Sequence, residues 1–303
     1  MDRKFSGVSQ ALSRFRGWIQ AGATLLTNLH LPNFLKGGLY QGAGKTVCVP
    51  GLNCYSCPAA SGACPIGAFQ AVVGSSKFSF SYYITGFLIL LGVLLGRFIC
   101  GFLCPFGWFQ ELLHKIPTKK LSTKKLKPLR YLKYAVLLVM VFLLPAFLVN
   151  DVGMGDPFFC KYLCPQGVLE GAIPLSLTNS GIRAALGSLF TWKFSLLLAV
   201  IVLSIVFYRP FCKWLCPLGA FYALFNRVSL FQMKVDKNKC VSCGKCARAC
   251  KMDVDVTKTP NHAECIRCGM CIRACPTNAV CFRYSFGDGK KEPVNELKTE
   301  ETK

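Results

Sequence analysis

Before residue 220 the chain writes Cys-Pro-x-Gly four times: Cys64-Pro-Ile-Gly, Cys104-Pro-Phe-Gly, Cys164-Pro-Gln-Gly and Cys216-Pro-Leu-Gly. The last three are preceded by another cysteine four residues earlier, at Cys100, Cys160 and Cys212. Two copies share the longer pattern R-x-x-C-x-x-L-C-P-x-G, headed by Arg97 and Arg209. Proline interrupts a helix and glycine permits a tight turn, so each copy sets its thiols at a bend. Packing accounts for a buried cysteine but not for the recurring proline and glycine. The chain has 19 cysteines, an odd number, which excludes complete disulfide pairing.

Each copy borders an apolar run. A membrane-spanning helix needs about 20 apolar residues, and four stretches are candidates: 17–35, 78–99, 134–150 and 190–208. The last reaches adequate length with Lys193 at the interface. The loop between the second and third is dense in lysine from Lys115 to Lys133, whereas that between the third and fourth carries only Lys161 and Arg183 as basic residues. The positive-inside bias then puts the lysine loop and both chain ends in the cytoplasm, in a multi-pass protein of the cell inner (cytoplasmic) membrane. The net charge of +22 is accounted for by this bias and by contact with membrane lipid. No aromatic-basic reading surface accompanies it, which argues against nucleic acid.

On this topology Cys100, Cys104, Cys212 and Cys216 share the inner side, and four thiolates are what a [4Fe-4S] cluster takes. On the outer side Cys160 and Cys164 find partners in "NCYSCPAASGACPIG": Cys57 and Cys64, since both precede proline, with Cys54 the alternative and Cys48 either a substitute ligand or a spare thiol. Zinc and disulfides are competing readings of this outer set. No Asp, Glu, Lys or Arg lies between Lys45 and Lys77 or from Phe98 to Gln110. Non-helical backbone at membrane depth survives only when buried in protein or lining a cavity, so the Cys-Pro-Gly units are predicted to dip into the membrane domain from both faces. Internal repeats of this kind place binding sites between the halves.

From residue 231 the chain turns polar and reads "CVSCGKCARAC" and then "CIRCGMCIRACP". The doubled C-x2-C-x2-C-x3-C spacing resembles the bacterial two-cluster ferredoxins, in which the fourth cysteine of each run ligates the other cluster. That resemblance implies Cys240, Cys243, Cys246 and Cys275 for one cluster, and Cys265, Cys268, Cys271 and Cys250 for the other. Lys251 stands where proline usually follows, and Cys281 is left over as a structural thiol. The predicted fold is mainly α. A four-helix integral membrane domain with pseudo-repeated Cys-Pro-Gly re-entrant units (1–230) precedes a small α+β two-cluster ferredoxin domain (231–285) and a flexible tail (286–303).

The C-x3-C-P units on apolar segments and the terminal ferredoxin together resemble the NapH-type membrane polyferredoxins, 4Fe-4S binding proteins related to NosR and CcoG. Known members of these families pass electrons at the membrane, some from quinol to periplasmic reductases. The resemblance implies an electron-transfer component or an oxidoreductase subunit. The expected path runs from a cytosolic donor of ferredoxin or flavodoxin type, through two ferredoxin and two membrane [4Fe-4S] clusters, to an extracytoplasmic flavoprotein or thiol redoxin. Two alternatives stand beside it: a quinol/quinone oxidoreductase subunit with bound quinone in a membrane complex, and an accessory protein for metalloenzyme maturation or reactivation. "GAGKT" (42–46) lacks the first glycine of a phosphate loop.

Overall fold

The structure is a computed structural model that describes residues 3–75, 81–151 and 153–284. The predicted tail and the start of the second predicted span, 78–80, lie outside the described residues. The principal elements are α1 (Arg3–Thr27), α2 (Pro65–Gly74), α3 (Tyr82–Leu95), α4 (Phe98–Phe102), α5 (Pro105–His114), α6 (Leu126–Phe147), α7 (Gly167–Thr178) and α8 (Ser188–Val206). They are followed by α9 (Pro210–Trp214), α10 (Pro217–Phe225), β1 (Phe231–Val235), α11 (Lys245–Ala249), α12 (Met270–Ala274) and β2 (Val280–Tyr284).

Among the described residues two helices, α6 and α8, are long and apolar enough to cross a membrane. Only 28% and 17% of their apolar windows are buried inside the protein, unlike the core helix of a soluble domain. Leu138, Leu143, Leu198 and Val202 face outward instead. Within α6, Leu137–Leu143 is π-helical just before Pro145. Proline lacks the N–H for the preceding turn and its ring crowds that turn's carbonyl, which the wider π turn accommodates.

The first predicted span, 17–35, is not one helix. Helix α1 begins at Arg3 and stops at Thr27, where the Asn28 side chain bonds back to the Thr24 carbonyl (3.0 Å), and a separate turn of helix covers Asn33–Lys36. The buried stripe of α1 is polar, comprising Ser9, Ser13, Arg16 and Gln20 at helical spacing, while Val8, Phe15, Trp18, Leu25 and Leu26 are exposed. A window that counts continuous apolar length does not register a helix with this inside-out pattern. The second predicted span, 78–99, is also interrupted. Helix α3 has 14 residues, about 21 Å at 1.5 Å per residue, and Gly96 turns the chain into the separate α4 with φ 54°.

In the C-terminal module β1 pairs antiparallel with β2, Phe231 opposite Tyr284 and Val235 opposite Val280. The cysteine runs lie between the strands as a repeat with an offset of 25 (242 to 267, 244 to 269, 253 to 278). Ser242 and Arg267, Gly244 and Gly269, and Asp253 and Asn278 all hold φ between 50° and 77°. The module is seated on the end of the helical part that carries α4 and the end of α10. Fully buried Arg267 donates to the carbonyls of Leu95 (2.8 Å) and Asn226 (2.7 Å) and to Ser229 Oγ (2.7 Å). A Cβ on Gly101 of α4 would lie 2.2 Å from the Ile266 carbonyl oxygen, so glycine there is a condition of this close approach. Helix α1 packs on the same module: the Phe282 N–H donates to Ser9 Oγ (3.0 Å), and Ser13 lies against Gly269.

Candidate iron–sulfur sites

The four Cys-Pro copies share one local geometry. Cys64, Cys104 and Cys216 each stand just before a helix that begins with proline, with φ from −69° to −85° and ψ from 111° to 125°. Cys164, just ahead of α7, has φ −75° and ψ 114°. A residue before proline is pushed to extended backbone, and proline suits the first helical position because its missing N–H is not needed there. Each sulfur is thereby set at a helix N-terminus, where free amides favour negative charge. The Gly219 N–H accordingly donates to Cys216 Sγ (3.3 Å).

The two inner units grip each other reciprocally. Arg97, heading one, donates toward the Cys212 carbonyl of the other (3.5 Å), and Arg209, heading the second, donates to the Cys100 carbonyl at 2.5 Å. Arg209 holds φ 49°, a left-handed conformation costing about 1–3 kcal/mol in a non-glycine residue. It is fixed by this bond and by an ion pair with Glu111 (2.8 Å), which also pairs with Arg16 of α1. All four inner cysteines are buried and lie close enough to repel one another as thiolates. Burial, and then the charges of Cys212 and Cys100, push the Cys104 thiol up to about 12.

The outer set gathers Cys54, Cys64, Cys160 and Cys164, whose thiolates act on one another in the same way. Burial first, then the neighbouring charge, pushes Cys54 and Cys160 up to about 12. A Cβ on Gly67 would meet Cys160 Sγ at 3.8 Å, and one on Gly167 would meet Cys54 Sγ at 3.8 Å, so each of these motif glycines lies directly against a facing thiol. Cys57, expected from its following proline to face this set, turns toward Asn28 instead: its Sγ lies 3.5 Å from Asn28 Oδ1, in a small cluster with Ala59 and Ala60 against which Cys54 packs. Cys48 lies beside Cys64. Lys45 of the phosphate-loop-like stretch is bonded to the Tyr55 carbonyl and lies over the Tyr55 ring.

One position escaped the sequence reading. The residue six places after each Cys-Pro cysteine reaches another unit. Gln70 Nε2 donates to Cys160 Sγ (3.2 Å) while its Oε1 accepts from the Phe159 N–H (2.9 Å). Gln110 does the same to Cys212 Sγ (3.1 Å) and the Phe211 N–H (3.2 Å). Glu170 accepts from the Cys54 N–H (3.0 Å), and burial raises its carboxyl to about 7. Tyr222 donates to the Pro50 carbonyl (3.1 Å). Extending the alignment of the copies past Cys-Pro-x-Gly exposes this position, since glutamine fills it twice.

In the C-terminal module Cys250, Cys265, Cys268 and Cys271 line one cavity, and Cys240, Cys243, Cys246 and Cys275 line another. The Val254 and Ala279 amides, at matching repeat positions, donate to Cys250 Sγ (3.4 Å) and Cys275 Sγ (3.3 Å). Among the described residues no group of three or more His, Cys, Asp or Glu is drawn together tightly enough for a single metal ion. A lone zinc at about 2.3 Å from each sulfur needs sulfurs under about 4 Å apart. Each of these two cavities is lined by four thiols, the number that a [4Fe-4S] cluster takes.

Comparison with known proteins agrees. A 4Fe-4S binding domain family model matches residues 62–82, 79–124, 133–173 and 189–238, half of the chain, and a second of that description matches 233–254 and 259–281. The chain belongs to the NosR-related 4Fe-4S binding family. Uncharacterized protein MJ0750 of Methanocaldococcus jannaschii is 34% identical over 66% of this chain and 77% of its own length. The methylamine utilization ferredoxin-type protein MauN of Paracoccus denitrificans is 28% identical over 61% of this chain and 56% of its own length. Regulatory protein NosR of Stutzerimonas stutzeri is 28% identical over 53% of this chain but only 21% of its own length. No solved structure matches. This family member is an iron–sulfur protein, and its two long apolar helices associate it with a membrane.

Proposed function

We propose that this iron–sulfur electron-transfer protein is a conduit across the cell inner membrane, taking electrons from a cytosolic low-potential donor to an extracytoplasmic acceptor such as a flavoprotein or thiol redoxin. Four sets of cysteines hold its carriers. Two are in the ferredoxin module (Cys240, Cys243, Cys246, Cys275; Cys250, Cys265, Cys268, Cys271), one is inner (Cys100, Cys104, Cys212, Cys216) and one outer (Cys54, Cys64, Cys160, Cys164). Bound there, [4Fe-4S] clusters supply one-electron redox centres.

The observation that carries this reading is continuity. Cys250, Cys268, Cys100, Cys104, Cys216, Cys64, Cys160 and Cys164 all belong to or pack against one hydrophobic core. The chain's own residues do the positioning. Arg97 and Arg209 lock the inner units together, Gln70 and Gln110 orient cysteine sulfurs, and Arg267 and Gly101 seat the ferredoxin module on the helical part. Exposed Cys243 puts the first ferredoxin set within reach of a partner. Lys120, Lys124, Arg248 and Lys251 edge a cleft beside Cys250, and that basic edge suits an acidic donor of ferredoxin or flavodoxin type. Lysines on the α5–α6 loop support a cytoplasmic placement of this face.

A quinone-linked reading is favoured by one feature, a cavity beside Cys268 lined by Arg16, Trp108 and Glu111. Quinone-free liposomes decide between the two. With the ferredoxin module outward, the protein is expected to pass electrons from external reduced ferredoxin to an enclosed, membrane-impermeant acceptor. Transfer that appears only on adding quinone would overturn the conduit.

A further inference from the structure

We infer that the segment from Pro50 to Asn53 is the bridge by which inner and outer sets communicate, and that Tyr222 is the residue that holds it in position. The inference rests on the conduit reading above. The segment begins at the outer set: the Val49 N–H donates to the Ala63 carbonyl (3.0 Å) and the Ala63 N–H to the Val47 carbonyl (2.9 Å). Cys48 is thereby paired with the residue just before Cys64. Gly51 then lies on the inner set. A Cβ there would stand 2.8 Å from Cys104 Cα and 3.1 Å from the Leu103 carbonyl oxygen.

Leu52 and Asn53 follow, 1% and 0% exposed. Leu52 belongs to the same hydrophobic core as Cys104 and Cys64. Val49, bonded to the residue before Cys64, and Gly51, packed on Cys104, are two residues apart, about 7 Å of chain, so the segment joins the two sets well inside a hydrocarbon core of about 30 Å.

Tyr222 fixes this arrangement from the fourth repeat. It occupies the position that holds glutamine or glutamate in the other copies, is fully buried, and donates its hydroxyl to the Pro50 carbonyl (3.1 Å). It belongs to the same hydrophobic core as Cys100 and Cys104 of the inner set and Cys48 and Cys64 on the outer side. In the transfer one electron leaves the inner centre, which is oxidised, and reaches the outer centre, which is reduced. No bond forms or breaks, and Tyr222 remains a protonated phenol throughout.

Tyr222→Phe removes the hydroxyl bond and keeps the ring; Gly51→Ala pushes the segment off Cys104. Each is compared with the wild-type full chain, purified anaerobically, by iron and sulfide content, by hydrogen exchange at Leu52 and Asn53, and by timed reduction after rapid reduction of the ferredoxin module. Both variants are expected to keep wild-type iron, to exchange those two amides faster, and to fill the inner centre on time while the outer centre lags. Full iron with wild-type timing at the outer centre would overturn the bridge and leave the conduit standing. Loss of membrane-domain iron in Tyr222→Phe would also overturn it, since the residue would then support cluster binding rather than transfer. Wild-type protein with iron in the ferredoxin module alone would sink the conduit, and the bridge with it.

Discussion

Glu264 gives the sharpest test of how the ferredoxin module is joined to the membrane part. Its carboxylate is paired with Arg97 at 3.0 Å and with Lys133 of α6 at 2.5 Å, and the three side chains are 5%, 0% and 0% exposed. Burial alone would raise this carboxyl, but the Arg97 and Lys133 charges outweigh it and hold it at about 2 rather than 4.5. At 1.36 kcal/mol per pH unit that depression is worth about 3 kcal/mol. Glu264→Gln leaves two buried cations without a counter-charge, a defect of about 3–5 kcal/mol. The assay is hydrogen exchange over residues 263–268 in the full chain. If local opening becomes easier by about 3 kcal/mol, exchange accelerates by about a hundredfold. The pH dependence has a definite sign. The folded value lies below the unfolded one, so the contribution is complete above about pH 5 and is lost as pH falls toward 2. Replacing all three residues by apolar ones of similar volume should recover most of the loss, since a buried ionic triad is close to neutral overall. Exchange in Glu264→Gln within a factor of about two of wild type, a few tenths of a kcal/mol, would refute the reasoning.

Other sites give separate expectations. Gln110→Leu removes a donor to Cys212, and a bond of about 1 kcal/mol corresponds to a potential lowered by about 40 mV for one electron, read by redox titration of the inner EPR signal. Cys54→Ser should abolish the outer cluster while Cys57→Ser leaves iron content unchanged; the opposite result would reassign the ligand. Gly101→Ala drives a methyl group into the Ile266 carbonyl and should slow reduction of the inner centre from the ferredoxin module without altering either ferredoxin signal. Arg209→Ala removes a buried guanidinium that joins Cys100 to Glu111, and should cost about 3 kcal/mol and deplete the inner cluster.

Much of this was legible because cysteine, proline and glycine constrain backbone directly. The doubled ferredoxin spacing and the Cys-Pro-x-Gly copies could be located without a structure. Helix α1 was harder, because its buried face is polar and its exposed face apolar, the reverse of the soluble pattern, and because Asn28 and Pro32 divide a stretch that looks long enough to span. Cys57 stands before a proline as the motif cysteines do, yet its sulfur turns toward Asn28; neighbouring sequence cannot reveal which way a side chain in an irregular loop faces. The contacts of Gln70, Gln110 and Tyr222 join residues far apart in the chain, and only the shared offset of six from each motif cysteine hints at them.

Iron and acid-labile sulfide content, with EPR of dithionite-reduced protein purified without oxygen, tests the central claim most directly when wild type is set beside Cys160→Ala and Cys212→Ala. Four clusters, about sixteen irons, are predicted in wild type, with the outer cluster missing from the first variant and the inner from the second. Two clusters in all three proteins, confined to the ferredoxin module, would contradict the account.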